Sequence, residues 1–117
     1  MTYKKGLHVI CDLVEVSAEK LSTINEFEEL VNSLIKTHQL QATGSVYHSF
    51  ENKGYTAVIG LTESHLSVHT WPEFGRVTFD IFLSNFLRVN DGTCLQIADK
   101  IKAHFGGAIS QEHILNR

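Results

Sequence analysis

Apolar and polar residues alternate over several short stretches of the chain, which is typical of half-buried β-strands. These stretches are residues 7–14, 42–50, 55–61, 77–82 and, less regularly, 108–114. The sequence Glu-Asn-Lys-Gly at residues 51–54 is typical of a turn, so we expect the two flanking strands to pair as an antiparallel hairpin.

Two other stretches repeat their apolar residues at helical spacing. The first begins at Thr23, which opens a Thr-x-x-Glu capping box, and runs to about His38. The second is predicted to be capped by Asn90 or Asp91 and to stop at the glycine pair that begins with Gly106.

The predicted order is β-α-β-β-(β)-β-α-β, where the bracketed strand lies within residues 62–73. Two amphipathic helices of this kind cover one face of a mostly antiparallel sheet, so we predict a two-layer α+β sandwich. The other sheet face must then meet solvent, a ligand or another subunit.

Composition narrows the class of protein without naming a function. The 117 residues fit one domain, residues 1–117, and 43% hydrophobic residues exclude a disordered chain. Ten basic residues against 13 acidic ones give no footprint for nucleic acid, and no apolar run approaches the ~20 residues of a membrane span. Cys11 and Cys94 are too few for a disulfide framework, so we expect a cytoplasmic protein. Seven histidines are the one compositional oddity.

Residues 62–73 concentrate histidines, carboxylates and hydroxyls within one short stretch. Three readings follow from the residues alone. His65 and His69 have the i, i+4 spacing of metal ligands on a helix, but the segment does not read as a helix and offers no obvious third ligand, so we expect no metal. The same residues suit the polar face of a half-buried strand. Ser64 with His69 suits a serine hydrolase, although the glycine-flanked nucleophile elbow is absent.

The stretch Glu-Ser-His-Leu-Ser-Val-His-Thr-Trp-Pro-Glu at residues 63–73 resembles the self-processing site of the short prokaryotic S-adenosylmethionine decarboxylase proenzymes. The resemblance extends from the strand at Gly6 to Phe82 and fades in the last third. It implies self-cleavage between Glu63 and Ser64, which converts Ser64 into a covalently bound pyruvoyl group. A hydroxyl beside its own preceding carbonyl suits that chemistry, because the attack is intramolecular.

The resemblance also implies roles for other residues. His69 matches the histidine that removes the α-proton of the processed serine. Thr56 stands where the family usually has a serine that helps to hold the tetrahedral intermediate. Phe50, Leu66 and Glu73 match residues that bind the substrate, with the aromatic ring on the adenine and the carboxylate on the ribose.

One position departs from the family. Ser84 stands where the family has the cysteine that reprotonates the decarboxylated carbon, and a serine hydroxyl is far less acidic than a thiol. His69 is a candidate substitute for the proton donor, whereas Cys94 reads as a small buried hydrophobe. A regular strand would also put Ser64 and His69 on opposite faces, so the processing chemistry needs a kink or an approach from neighbouring strands.

The function implied by the resemblance is Schiff-base decarboxylation of S-adenosylmethionine by a homodimer, which gives the aminopropyl donor for spermidine and other polyamines. Two alternatives stay open: a pyruvoyl decarboxylase of ornithine or arginine, and a weak or inactive paralogue that binds a nucleoside or a partner.

Overall fold

A computed structural model describes residues 2–117 as one six-stranded antiparallel sheet with two helices. The strands are β1 (Leu7–Val14), β2 (Ala42–Ser49), β3 (Tyr55–Leu61), β4 (Ser64–Trp71), β5 (Arg76–Leu83) and β6 (Ala108–Asn116). The helices are α1 (Ile24–Thr37) and α2 (Asp91–Phe105). The strand order across the sheet is β2-β3-β4-β5-β1-β6. The predicted α+β sandwich is confirmed.

The segment that interrupted the sequence pattern forms a regular strand. β4 pairs with β5 along its whole length and with β3 from Ser64 to His69. It ends at Trp71 because Pro72, which lacks a backbone N–H, starts a single 3₁₀ turn. The strand therefore has no kink between Ser64 and His69.

Both helix starts differ in detail from the predicted caps. The Thr23 hydroxyl contacts the Glu26 carboxylate and the Glu19 carbonyl, and it makes no hydrogen bond to a helix N–H. Asn90 is the N-cap residue of α2, where its carbonyl accepts the Cys94 N–H at 2.8 Å, but its side chain makes no hydrogen bond to a helix N–H and its amide donates to Glu63 and to the Ser84 carbonyl. The predicted helices and the N-cap positions of Thr23 and Asn90 are confirmed, whereas neither side chain makes the expected hydrogen bond to a helix N–H.

The helices cover one face of the sheet, and alternate residues of the four central strands β1, β3, β4 and β5 enter the core between the two layers. The Phe27 ring of α1 lies 5.8 Å from the rings of both Tyr55 and Phe105. Cys11 and Cys94 are free and fully buried in this core, as predicted for a small hydrophobe at Cys94. Within residues 2–117, neither helix is long and apolar enough to cross a membrane.

The opposite face of the sheet, here called the open face, is not covered by a helix. Two of its valines, Val46 and Val58, pair across β2 and β3 and are 61% and 49% exposed. The strand registers also place five of the seven histidines on this face: His8, His48, His65, His69 and His113. The compositional oddity is therefore a property of one surface.

Candidate active site

Ser64 begins β4 with an unusual backbone conformation. Its φ of 139° lies in a region that non-glycine residues rarely adopt. Such a conformation costs on the order of 1–3 kcal/mol and persists only where the surroundings enforce it. A two-residue turn from Leu61 and pairing with Leu83 enforce it here.

The carbonyl group that precedes Ser64 is also held. The backbone N–H of Ser84 donates to the Glu63 carbonyl oxygen at 2.8 Å. A fixed donor at this oxygen polarises the carbonyl and stabilises negative charge that develops on it. The Glu63–Ser64 bond is therefore strained on one side and polarised on the other.

The Glu63 side chain is anchored in the fold. Arg88 donates to its two carboxylate oxygens, from Nε at 3.0 Å and from Nη2 at 2.8 Å, and the Asn90 amide donates at 2.8 Å. The Arg88 hydrogen bonds lower the pKa of Glu63 against the opposing effect of its burial, and the Asn90 bond adds to the lowering. Glu63 is 7% exposed. The residue before the candidate cleavage site is thus an ionised, immobilised carboxylate.

The loop between β5 and α2 supplies this anchor. The side-chain carbonyl of Asn85 accepts from the backbone N–H of Asn90 at 2.6 Å, and Arg88 also reaches the carbonyls of His38 and Gln39. Sequence reasoning missed Arg88 and Asn90 as site residues. They lie some 25 residues from Glu63 along the chain, and no local pattern links them to it.

Beside Ser64, two histidines share one carboxylate. Ser64 Oγ lies 3.3 Å from His65 Nδ1, and His65 Nε2 lies 3.0 Å from Asp80 Oδ2. His8 Nε2 lies 2.7 Å from the same oxygen, and the Ser67 hydroxyl donates to Asp80 Oδ1. Burial acts to raise the pKa of Asp80, but these hydrogen bonds from Ser67, His8 and His65 together hold it below its ordinary value.

This group also changes the metal question raised by the sequence. The ligand atoms of His8, His65 and Asp80 lie within 4.8 Å of one another, so they form a geometry that could hold a cation. The sequence pattern had paired His65 with His69 and found no third ligand. His8 and Asp80 were missed as partners of His65 because they come from β1 and β5, and only the folded sheet places β5 beside β4 and β1 beside β5.

A second group of candidate residues gathers at the other end of β4. His69 lies opposite Thr56 in the sheet, and its ring lies 4.3 Å from Trp71 and 5.6 Å from Phe50. A cavity of about 430 Å³ is lined by Phe50, His69, Trp71 and Glu73, among others. The Asn52 amide donates to the Glu73 carboxylate and fixes it at the rim.

The structure keeps these two groups apart. Ser64 and His69 are five residues apart in one regular strand, so their Cα atoms are roughly 16 Å from each other. Glu63, Ser64 and Ser84 form one group, and Phe50, Thr56, His69 and Glu73 form the other. A shallow depression of about 350 Å³ on the open face is lined by Thr56 and His69 of the second group and by His8 and Asp80, but by no residue of the first group.

Leu66, which was predicted to bind the substrate, and Cys94, which was predicted to be a small buried hydrophobe, lie outside both groups. The Leu66 side chain is 3% exposed and packs in the core with Val31 and Ile81, on the helix-covered face. Cys94 is buried under β1 and β5, where its thiol contacts the Leu7 carbonyl, and burial raises its pKa to about 11. Its hydrogen-bond partners, the carbonyls of Leu7 and Ile81, belong to neither group.

Known proteins with similar sequences point to one family. The family model described as S-adenosylmethionine decarboxylase matches residues 7–117. The S-adenosylmethionine decarboxylase proenzyme of Aquifex aeolicus is 40% identical over 77 residues, which cover 66% of this chain and 57% of that protein. The proenzyme of Thermoplasma acidophilum is 33% identical over 97 residues, covering 83% of this chain and 74% of that protein.

The fold matches as well. The crystal structure of the Aquifex aeolicus adenosylmethionine decarboxylase superposes with a TM-score of 0.79 at 28% identity, covering 99% of this chain and 91% of that one. Sequence and fold therefore agree with the resemblance read from residues 63–73, and the chain belongs to the S-adenosylmethionine decarboxylase family.

Proposed function

We propose that this chain cleaves itself between Glu63 and Ser64 and then acts as a pyruvoyl-dependent decarboxylase of S-adenosylmethionine, which would supply the aminopropyl donor for polyamine synthesis. The proposal rests on the conformation and the hydrogen bonding of the Glu63–Ser64 peptide unit. Ser64 has a φ of 139°, the Glu63 carbonyl accepts the Ser84 N–H at 2.8 Å, and Ser64 Oγ contacts an imidazole nitrogen.

The chain's own residues can form the pyruvoyl group. Ser64 Oγ attacks the Glu63 carbonyl carbon, the C–N bond breaks, and an ester links the two residues through Oγ. Removal of the Ser64 α-proton then expels the Glu63 carboxylate. Water finally hydrolyses the resulting imine, which releases the nitrogen of residue 64 as ammonia and leaves a ketone at the new N-terminus. His69 and Thr56 are the residues that we propose for the proton removal and for support of the tetrahedral intermediate.

The residues around His69 suit a nucleoside substrate. Phe50 offers an exposed aromatic face on which a base can stack, and Glu73 offers carboxylate oxygens that accept hydrogen bonds from ribose hydroxyls. Both line the same cavity as His69, which favours S-adenosylmethionine over ornithine or arginine. The pyruvoyl group supplies an electron sink for the pair left behind when carbon dioxide departs. Ser84 lies beside Ser64 and is our candidate for the position of the proton donor.

We further propose that the working unit is a homodimer in which the open faces of two copies meet. The roughly 16 Å between Ser64 and His69 is too long for proton transfer within one chain. A two-fold axis that crosses β4 near Ser67 brings Ser64 and Ser84 of one copy to His69, Thr56 and their neighbours in the other. Such packing would cover the apolar surface of the exposed valines in β2 and β3.

The two buried free thiols fit a reducing compartment, so we place the protein in the cytoplasm.

Intact-mass measurement tests the cleavage. Purified wild-type protein should give one fragment that ends at Glu63 and one that begins at a blocked residue 64, whereas Ser64→Ala should stay whole. Full-length wild-type chain after long incubation contradicts self-processing, and a cut in Ser64→Ala identifies a contaminating protease.

Mixing two inactive variants tests the shared site. Neither Ser64→Ala nor His69→Ala should cleave alone. After mixing and subunit exchange, the His69→Ala chain should be cut, because its intact Ser64 meets the intact His69 of its partner. No cleavage in the exchanged mixture contradicts the dimeric site.

Carbon dioxide release from labelled S-adenosylmethionine, ornithine and arginine tests the substrate. We expect release from the first alone. Processed protein that releases carbon dioxide from none of them is not a decarboxylase of this kind, and release from an amino acid favours the alternative substrate.

A further inference from the structure

We infer that His65, oriented by Asp80 and His8, is the base that takes the hydroxyl proton of Ser64 in the first step of self-cleavage, and that it acts within its own chain. The inference rests on the proposed cleavage at Glu63–Ser64. It assigns different steps to the two histidines: His65 acts before the ester forms, and His69 acts after the ester has formed.

The hydrogen-bond roles of His65 follow from its partners. An ionised carboxylate only accepts hydrogen bonds, so His65 Nε2, 3.0 Å from Asp80 Oδ2, carries a proton and donates it. In the neutral ring Nδ1 is then an acceptor with a free lone pair. That nitrogen lies 3.3 Å from Ser64 Oγ, where a general base for this hydroxyl must lie.

His8 is fixed in the same neutral form from its other side. Arg117 Nη1 lies 3.3 Å from His8 Nδ1, and a guanidinium only donates, so Nδ1 accepts. His8 Nε2 therefore carries the proton that it donates to Asp80 at 2.7 Å. His8 is 6% exposed, so its ring is sheltered from water, whereas the His65 side chain is 42% exposed.

Packing and further hydrogen bonds hold the group in place. The Ser67 hydroxyl occupies Asp80 Oδ1, which leaves Oδ2 to the two histidines. The Phe82 ring lies 5.1 Å from the His8 ring and 6.0 Å from the His65 ring. Asp80, Ser67 and His8 are therefore positioning residues, and among these four side chains it is His65 that touches a reacting atom, Ser64 Oγ.

The same atoms favour this role over a metal site. A cation between His8, His65 and Asp80 would need both Nε2 atoms free of protons, whereas each one lies at hydrogen-bond distance from the same carboxylate oxygen. Ser64, His65 and Asp80 follow one another as hydroxyl, imidazole and carboxylate, the order found in a catalytic triad.

The proposed step balances in protons and electrons. Ser64 Oγ gives its proton to His65 Nδ1 and forms a bond to the Glu63 carbonyl carbon. The carbonyl π pair moves to the oxygen that accepts the Ser84 N–H. When the pair returns, the C–N bond breaks, and His65 Nδ1 gives its proton to the departing nitrogen. The products are an ester and a free amine at residue 64.

Treatment with hydroxylamine distinguishes the roles of the two histidines, because it cleaves the ester that one variant should accumulate far faster than the amide that the other should retain. His69→Ala should stall at the ester, so hydroxylamine should cut it at residues 63–64. His65→Ala should remain an amide that hydroxylamine leaves whole, and its self-cleavage should slow by about 10²–10⁴-fold, the usual contribution of a general base. His65→Gln is the second variant, because its amide can still donate to Asp80 but cannot take a proton. Added imidazole should partly restore cleavage of His65→Ala, which a purely structural role would not allow.

Controls and refuting outcomes use the same assay. His113→Ala is the matched control, since His113 lies on the same face in the edge strand β6 and, within residues 2–117, its ring forms a hydrogen bond with Gln111 alone. It should cleave at the wild-type rate. Asp80→Asn should slow cleavage by about 10- to 100-fold without accumulating ester. Mixing His65→Ala with Ser64→Ala should not rescue cleavage, in contrast to the His69→Ala mixture, because the base acts within its own chain.

Four results overturn the inference: wild-type rates in His65→Gln, ester in His65→Ala, rescue of His65→Ala by the mixture, or loss of wild-type cleavage with a metal chelator. Wild-type protein that never cleaves overturns the proposed function itself, and the inference with it.

Discussion

Replacing Arg88 by methionine removes the main partners of the Glu63 carboxylate. Two guanidinium N–H groups donate to that carboxylate, at 3.0 and 2.8 Å, and the Asn90 amide is its remaining partner. A hydrogen bond to a charged group contributes about 1.5–3 kcal/mol when sheltered. The Arg88 side chain is 39% exposed, which reduces this value through solvent screening. We expect Arg88→Met to lower the free energy of unfolding by about 2–3 kcal/mol at pH 7.

The loss should depend on pH in a defined direction. The folded-state pKa of Glu63 is lowered, so its stabilisation is fully present above its unfolded pKa of about 4.3 and is lost as the pH falls through the folded pKa. The bonds from Arg88 to the carbonyls of His38 and Gln39 do not titrate. The difference between wild type and variant should therefore shrink to about 1 kcal/mol near pH 3.

Urea unfolding from pH 7 to pH 3, at fixed protein concentration and in a Ser64→Ala background that keeps the chain whole, measures this difference. Lys20→Met is the control, because Lys20 pairs with Glu26 at 3.5 Å and both side chains are exposed. It should change stability by less than about 0.5 kcal/mol. A loss in Arg88→Met that does not change with pH, or that is no larger than in the control, refutes the reasoning.

Four further outcomes are expected. Leu66→Ala should lower the free energy of unfolding by about 2–4 kcal/mol in urea titrations and change KM by less than about threefold, since its side chain lies in the core; a large KM effect would contradict this. Phe50→Ala should raise KM for S-adenosylmethionine by about 5- to 100-fold through lost base stacking, and an unchanged KM would remove Phe50 from the substrate site. Cys11 and Cys94 should react with an aromatic disulfide reagent at pH 8 only after unfolding, because burial raises the pKa of each thiol to about 11; fast reaction of the folded protein would refute their burial. Ser84→Cys should raise the decarboxylation rate of processed protein because a thiol is the better proton donor, and no gain would indicate another donor.

The strands and helices could be read from the sequence, because alternation and helical spacing are local consequences of burial on one face. β4 was the hard case, since its hydroxyls and histidines alternate with Leu66, Val68 and Thr70 on the buried face. Thr23 and Asn90 stand at the predicted N-cap positions, but the sequence could not show that the Asn90 amide has a partner, Glu63, that lies far away along the chain.

The sequence by itself determined the fold class, the motif at residues 63–73 and the family to which these belong. Only the tertiary structure decided which histidine meets which group. β1 lies beside β5 rather than β2, so His8 and Asp80 become neighbours of His65, while a regular β4 carries His69 away from Ser64. The physical reason is that strand order and cross-strand register are set by the packing of the whole sheet. Contacts of this kind, between residues dozens of positions apart, leave no periodic signal in the sequence.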